Sequence, residues 1–234
     1  MRRTARTLPD RLTVGDPPIT VELRRATRAR RLTLRVPSIG GDPVLTVPPR
    51  VRDAVVEDFL MEREEWLRAA LSRTPQPAGI ADGTVLPVEG APHVVSLAAR
   101  RGVAQGPGTL ELPRRAPGPA LAAWLKARAR DRLAARCDHH AAKLGRTVTR
   151  ITLRDPRSRW GSCTSEGNLM FSWRLILAPP EVLDYVAAHE VAHLVEMNHS
   201  PAFWAIVERL YPGWQVQRDW LRAEGASLHG WRFD

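Results

Sequence analysis

From Val182 to Val195 neither glycine nor proline interrupts the chain, and its apolar residues recur at helical rather than alternating spacing. Val182, Val186, His189 and His193 fall on one stripe, while Leu183, Ala187, Val191 and Leu194 form a second apolar side. Pro179-Pro180 opens the segment, and Pro180 suits a first turn whose N–H would be unpaired anyway. Glu181 and Asp184 follow, where negative charge opposes the helix dipole favourably. A helix apolar around so much of its girth is expected to be buried, and buried histidines need partners.

The rest of the chain alternates more than it repeats. Residues 19–36 read as half-buried strands, with Arg24, Arg25, Arg28, Arg30 and Arg31 marking the connection between them. Val44 to Val47 predicts a third short strand. A helix is predicted from Val51 to Leu71, with Val55, Phe59, Trp66 and Leu67 inward and Glu62, Glu64 and Glu65 on the wet side. Residues 74–79 read as a loop, and short strands are predicted around 84–88, 93–97 and 109–112. His93, beside a proline on one of these, is expected at the surface or paired rather than as a ligand. Together they predict a basic, β-rich portion over residues 1–113, a small antiparallel sheet with one helix.

The proline-rich, charged stretch 114–119 is the expected break, and residues 114–234 the expected second portion. A long helix over 120–144 is predicted to bury Leu121, Trp124, Leu125, Ala129, Leu133 and Cys137. His139 and His140 sit near its end, where imidazole suits the helix dipole. Strands are predicted over 148–154 and 168–177, joined by a connection over 155–167 that is too long for a tight hairpin.

At 234 residues one large or two small domains are expected. No run of about 18 apolar residues occurs, so no transmembrane helix or membrane partner is expected. The basic start, Met1 to Asp10, lacks the apolar stretch of a secretory signal. Cys137 and Cys163 suggest no disulfide framework, so a reducing, cytoplasmic setting is expected. The formal charge of +10 is unevenly placed: residues 1–150 hold 27 Lys and Arg against 15 Asp and Glu, residues 151–234 hold 8 against 10. Such asymmetry can mark a nucleic-acid surface. However, clustered aromatics for base stacking are missing, which leaves nucleic acid weakly supported as a partner.

Candidate chemistry lies in the buried helix, where His189-Glu190-Val191-Ala192-His193 is an H-E-x-x-H. Residues i and i+4 share a helix face, roughly 6 Å apart along the axis. Two imidazoles there can converge on one ion, while the intervening carboxylate reaches a water beside it. That is the chemistry of a zinc hydrolase, although imidazole sites also take nickel, cobalt or manganese. A third protein ligand is needed, and Glu196 and His199 are the candidates. Three ligands on one straight helix wrap poorly around a tetrahedral centre. Ser200-Pro201 reads as N-cap and first-turn proline of a new helix with Phe203, Trp204, Val207 and Leu210 inward, so the chain turns at His199. This geometry favours His199 and leaves Glu196 solvated or behind the ligands.

The 155–167 connection should lie near the ion, because the strand after it runs almost directly into the metal helix. Arg159, Trp160, Gly161 and Ser162 are therefore the candidate substrate-binding residues. Arg159 can hold an anionic group or stabilise an oxyanion, or instead pair with Asp155 or Glu166. Gly161 allows close backbone approach, and Trp160 serves equally as core or as substrate platform.

Arg159-Trp-Gly-Ser-Cys163, Trp173-Arg-Leu-Ile-Leu-Ala-Pro-Pro180, the H-E-x-x-H and Asn198-His-Ser-Pro-Ala-Phe-Trp204 together resemble the YgjP-like metal-dependent hydrolases, relatives of the SprT/Spartan zinc proteases. The resemblance implies an α+β fold with a zincin-like minimal core: backing helix, small antiparallel sheet, metal helix and following helices. It implies zinc held by His189, His193 and His199, with Glu190 the catalytic carboxylate acting as general base. The expected activity is metallopeptidase, hydrolysing amide bonds of a polypeptide. A metal-dependent phosphoanhydride hydrolase acting on nucleotides, a small anionic substrate, would suit the basic N-terminal half and Arg159. A basic nucleic-acid-associated module with structural zinc is the remaining alternative, and an open three-imidazole site argues against it.

Overall fold

The computed structural model describes residues 8–74 and 76–234. Most of the basic start, read above as lacking a secretory stretch, and Pro75 of the 74–79 loop lie outside the described residues. The chain forms two compact units, the first ending at Pro77 and the second beginning at Ala78. No helix among the described residues is long and apolar enough to cross a membrane.

In the first unit β1 (Arg11–Val14), β2 (Ile19–Arg25), β3 (Thr33–Arg35) and β4 (Val44–Val47) form a sheet in the order β1-β2-β4-β3, followed by α1 (Asp53–Glu62) and α2 (Glu64–Ser72). Val21, Leu23, Leu45, Val47, Val56, Leu60 and Leu67 make its core. The single helix expected over 51–71 is thus two. Arg63 leaves helical geometry between them (φ −102°, ψ 4°), so no one periodicity spans both. The inward residues are Val56, Leu60 and Leu67, while Val55 and Trp66 are exposed.

The second unit starts with β5 (Ala78–Gly79), then β6 (Val85–Val88), β7 (Ala91–Ala98), β8 (Ala104–Gly106) and β9 (Thr109–Pro113), the last four ordered β6-β7-β9-β8. The long helix α3 (Pro117–Leu144) follows, and then β10 (Arg150–Arg154), β11 (Gly161–Cys163) and β12 (Asn168–Ser172), ordered β10-β12-β11. A 3-10 turn over Trp173–Leu177 leads into α4 (Pro180–Ala192), α5 (Pro201–Leu210) and α6 (Gln215–Glu224). A second 3-10 turn, Gly225–His229, precedes β13 (Trp231–Arg232), which pairs with β5.

All three larger sheets reuse one connection. In each, a strand runs back along the sheet edge, and the next strand inserts between it and its predecessor. β4 lies parallel to β2, β9 to β7 and β12 to β10, while β3, β8 and β11 pair antiparallel with the inserted strand. The sheets are therefore mixed and not antiparallel as expected, because strands one and three of any such run point the same way. The predicted strand over 168–177 stops at Ser172 and continues as the buried 3-10 turn.

The expected division at 113/114 falls inside the second unit. Leu110 and Leu112 of β9 share a core with Leu121 and Leu125 of α3, so the chain crosses 114–119 without leaving that core. Pro117, at the first helical position, begins α3, and Gly145 ends it in the left-handed conformation at φ 60°. Leu121, Leu125, Ala129, Leu133, Cys137 and Ala141, every fourth residue, line its buried side. α3 is the backing helix against which α4 packs within this core. The β6–β7 turn is clamped to the entry of α4. Glu89 and Gly90 donate backbone N–H groups to the Ile176 and Leu177 carbonyls, and the Glu89 carboxylate binds Arg128 and Arg132. Gly90, at φ 75°, is required there, since a Cβ would lie 2.9 Å from the Pro179 backbone.

Candidate active site

α4 is buried along most of its length, with Val182, Leu183, Tyr185, Val186, Ala187, Ala188, Glu190, Val191 and Ala192 all inside. It therefore brings polar side chains into the interior, and they fall into two groups. In the first turns, Asp184 Oδ1 accepts from Arg136 Nε and His140 Nε2, both at 2.6 Å. Burial pushes the Asp184 carboxyl up, but the hydrogen bonds from His140 and Arg136 outweigh it and hold the group below its ordinary value. His140 is thus a buried partner of α4, not merely an imidazole placed at the end of α3. His93 is likewise closed off in its sheet, its Nδ1–H donating to the Ala91 carbonyl at 2.8 Å and its Nε2 lying 2.9 Å from Gln105 Nε2.

The second group closes around His189, His193 and His199. α4 ends at His193, three backbone N–H groups reach back to Val191 and Ala192 carbonyls, and the chain reverses. Asn198 Oδ1 accepts from the Ser200 N–H at 2.9 Å, and Ser200 caps α5 by accepting from Phe203 N at 3.3 Å. That turn carries His199 back over α4. His189 Nε2 and His199 Nε2 lie 3.1 Å apart, and one ligand atom from each of the three histidines lies within 4.8 Å of the others. Phe203, fully buried, is the floor, with its ring 4.9, 4.4 and 4.8 Å from those of His189, His193 and His199.

These side chains fit a metal ion on several counts. Two nitrogens each about 2.0–2.1 Å from a tetrahedral centre stand about 3.4 Å apart, close to the His189–His199 approach. His193 donates its Nδ1–H to the Glu196 carbonyl at 2.9 Å, which fixes the tautomer and leaves Nε2 with a free lone pair. Burial, then His193 and His199, push His189 down to about 3, so its ring is neutral as a ligand must be. Among the described residues these three form the group able to hold a cation. Glu196 is outside it, its Oε1 accepting from the Asn198 N–H.

Beside the histidines opens a cleft of about 410 Å³, lined by Arg159, Trp160, Gly161, Tyr185, Val186, His189, Glu190, His199, Trp204, Arg218, Leu221 and Arg222. Glu190 is 5% exposed, and no hydrogen bond to its carboxylate is found among the described residues. Burial pushes its carboxyl up to about 8, with Arg159 opposing. Gly161 on β11 lies against it: a Cβ there would sit 2.5 Å from Glu190 Oε1 and 2.6 Å from its Cγ. Of the other candidates on this connection, Arg159 faces the cleft and makes no ion pair among the described residues. Asp155 instead binds Arg174 through both oxygens, and Glu166 accepts from Ser165. Trp160 borders the cleft and also stacks on His229 at 5.5 Å. Ser162, paired in register with Met170, does not line the cleft.

Several residues were not anticipated. Arg174, buried, also donates to the Leu228 and Trp231 carbonyls and so ties the C-terminal segment beneath Trp160. Tyr185, Arg218, Leu221 and Arg222 complete the cleft wall. The signal for the last three was present as an apolar residue flanked by cations at helical spacing.

His189, His199 and Glu190 open on the cleft, and a histidine group able to hold a cation beside a carboxylate with no hydrogen bond among the described residues suits a metal-dependent hydrolase. Comparison with known proteins specifies the class: the YgjP-like metallopeptidase domain matches residues 30–224, and the chain belongs to that family. Among solved structures the metallopeptidase zymogen of Pyrococcus abyssi abylysin is similar at 22% identity, over 40% of this chain and 92% of that one, with a TM-score of 0.36. No curated protein matches.

Proposed function

We propose that the protein is a zinc-dependent peptidase in which His189, His193 and His199 hold the cation and Glu190 is the general base. The bound cation would act as a Lewis acid toward the scissile carbonyl and acidify water next to it. Supporting this is one observation above all: three imidazoles converge beside a carboxylate that is buried yet makes no hydrogen bond among the described residues. A buried carboxylate costs stability unless something compensates it, so an unpaired one at this place suits proton transfer.

With a cation held beside it, which would favour its charged form, Glu190 would accept a proton from water at the cleft and return it to the departing amine. Gly161 makes room for that carboxylate, since a Cβ at this position would collide with it. β11 is an edge strand, and an extended peptide can add alongside it with its scissile bond brought toward Glu190. Arg159, whose charge reaches Glu190, can stabilise negative charge that develops on the substrate oxygen.

The test compares zinc-reconstituted wild type with Glu190→Gln on an unfolded polypeptide. Cleavage by wild type and a loss of about a hundredfold or more in the variant, with zinc content preserved, is expected. Undiminished cleavage by Glu190→Gln would remove that residue from the mechanism.

A further inference from the structure

Three arginines, Arg159, Arg218 and Arg222, line the cleft. Arg218 and Arg222 stand one helical turn apart on α6 and, with Leu221, present one face of that helix to the cleft. This runs against the local trend, since residues 151–234 carry fewer basic than acidic side chains, 8 against 10. Glu190 is the acid lining the same cleft.

Arg218 is held in place without being neutralised. Its guanidinium lies 4.7 Å from the Trp214 ring centre and 5.6 Å from that of Trp204, and these two rings stack at 4.2 Å. Stacking fixes the guanidinium plane, and its Nη donors make no hydrogen bond among the described residues. Its Nε is buried without a hydrogen bond among the described residues, and its carboxylate neighbour Asp219 is 4.0 Å away, at the outer limit of an ion pair. Arg222 pairs with Asp219 at 3.3 Å, with side chains 66% and 65% exposed, an arrangement that water screens. Two guanidinium groups thus edge a cleft with aromatic walls, where attraction for a carboxylate is stronger than in open water.

We propose that Arg218 and Arg222 form a subsite for a carboxylate of the peptide substrate, from an acidic side chain or a free C-terminus. The enzyme then selects acidic peptides. This deepens the peptidase reading and rests on it.

The test uses the zinc-reconstituted full chain and matched peptides that differ only by Glu, Gln or Lys at single positions, each with a free or amidated C-terminus. Wild type should favour Glu over Gln, or free over amidated ends, by about tenfold or more in kcat/KM. The first pattern assigns the subsite to a side chain, the second to the terminus. Arg222→Gln should bring that ratio near one, and Arg222→Glu should turn it toward Lys. Because Arg218 braces the tryptophan rings and Arg222 does not, the Arg222 variants decide the case even if Arg218→Gln loosens the fold. A ratio near one in wild type, or one that survives both Arg218→Gln and Arg222→Gln, overturns the proposal. Should no peptide be cleaved, the peptidase reading fails, and calorimetric binding of the same peptides decides the subsite separately. Acid-selective binding lost in Arg222→Gln supports it, and equal binding of Glu and Gln peptides rejects it.

Discussion

The two polar groups on α4 are made of similar parts and left in opposite states. At the beginning of the helix a carboxylate, Asp184, meets an imidazole and a guanidinium from α3 at 2.6 Å each, and its charge is spent internally. At the end, three imidazoles and a carboxylate crowd together with few protein partners: Glu190 makes no hydrogen bond among the described residues, while a buried, unpaired Nδ1 is common to both ends, on His189 here and on His140 there. The first arrangement favours stability, since the charge of Asp184 is matched by two hydrogen-bonded partners. The second costs stability and fits the proposed chemistry on a substrate from outside. A helix thus carries one polar cluster that places it and another that is suited to act on a substrate.

Substitutions should separate the two. The largest effect belongs to the open end: chelation, or His193→Ala, removes several kcal/mol of transition-state stabilisation, hence about a thousandfold or more in kcat, whereas Glu196→Gln keeps both metal and turnover. Metal analysis beside a peptide-cleavage assay checks it. Next comes Gly161→Ala, whose Cβ must displace Glu190 from 2.5 Å contact; about a hundredfold loss in kcat with unchanged metal content is expected. At the closed end, Asp184→Ala strands Arg136 and His140 and should cost about 3 kcal/mol in urea unfolding, without touching zinc affinity measured on the folded protein. If Asp184→Ala instead abolished metal binding in a folded chain, the two clusters would be one.

The smallest effect is in acid. His189, held down to about 3 by burial and its two neighbours, binds its proton later in the folded than in the unfolded chain. Its contribution to stability is complete above the ordinary histidine value of about 6.5 and is lost as pH falls from there toward 3. Asp184, also depressed, contributes above the ordinary aspartate value of about 4 and is lost only below it. In the presence of chelator, unfolding at about pH 5 should therefore show wild type and Asp184→Asn weakened equally relative to neutrality, and His189→Gln weakened less, by at most about 1.4 kcal/mol per pH unit.

How far this was legible in the sequence follows the range of the interactions. The H-E-x-x-H helix, the turn at Ser200-Pro201 and the approach of His199 are local, and spacing plus capping chemistry predicts them. Strand direction is not local: alternation along 148–154 and 168–172 reads identically in parallel and antiparallel sheets, so the insertion of β12 beside β10 had no signature. Proline density at 114–119 suggested a boundary where Pro117 begins a helix, because the same residue punctuates chains and opens helices. The Asp184–His140 pair joins residues far apart in sequence, and burial of Arg174 depends on a C-terminal segment that no nearby pattern announces. Arg218 and Arg222 were visible as residues, but their facing the cleft depends on how α6 packs.

X-ray absorption on the zinc-reconstituted chain, with His199→Ala and Glu196→Gln beside it, tests the histidine group most directly. One zinc per chain with three imidazole nitrogens at about 2.0–2.1 Å, reduced to two in His199→Ala and unaltered in Glu196→Gln, is the predicted result. Zinc that keeps three imidazoles without His199, or that loses a carboxylate ligand with Glu196, would contradict the account.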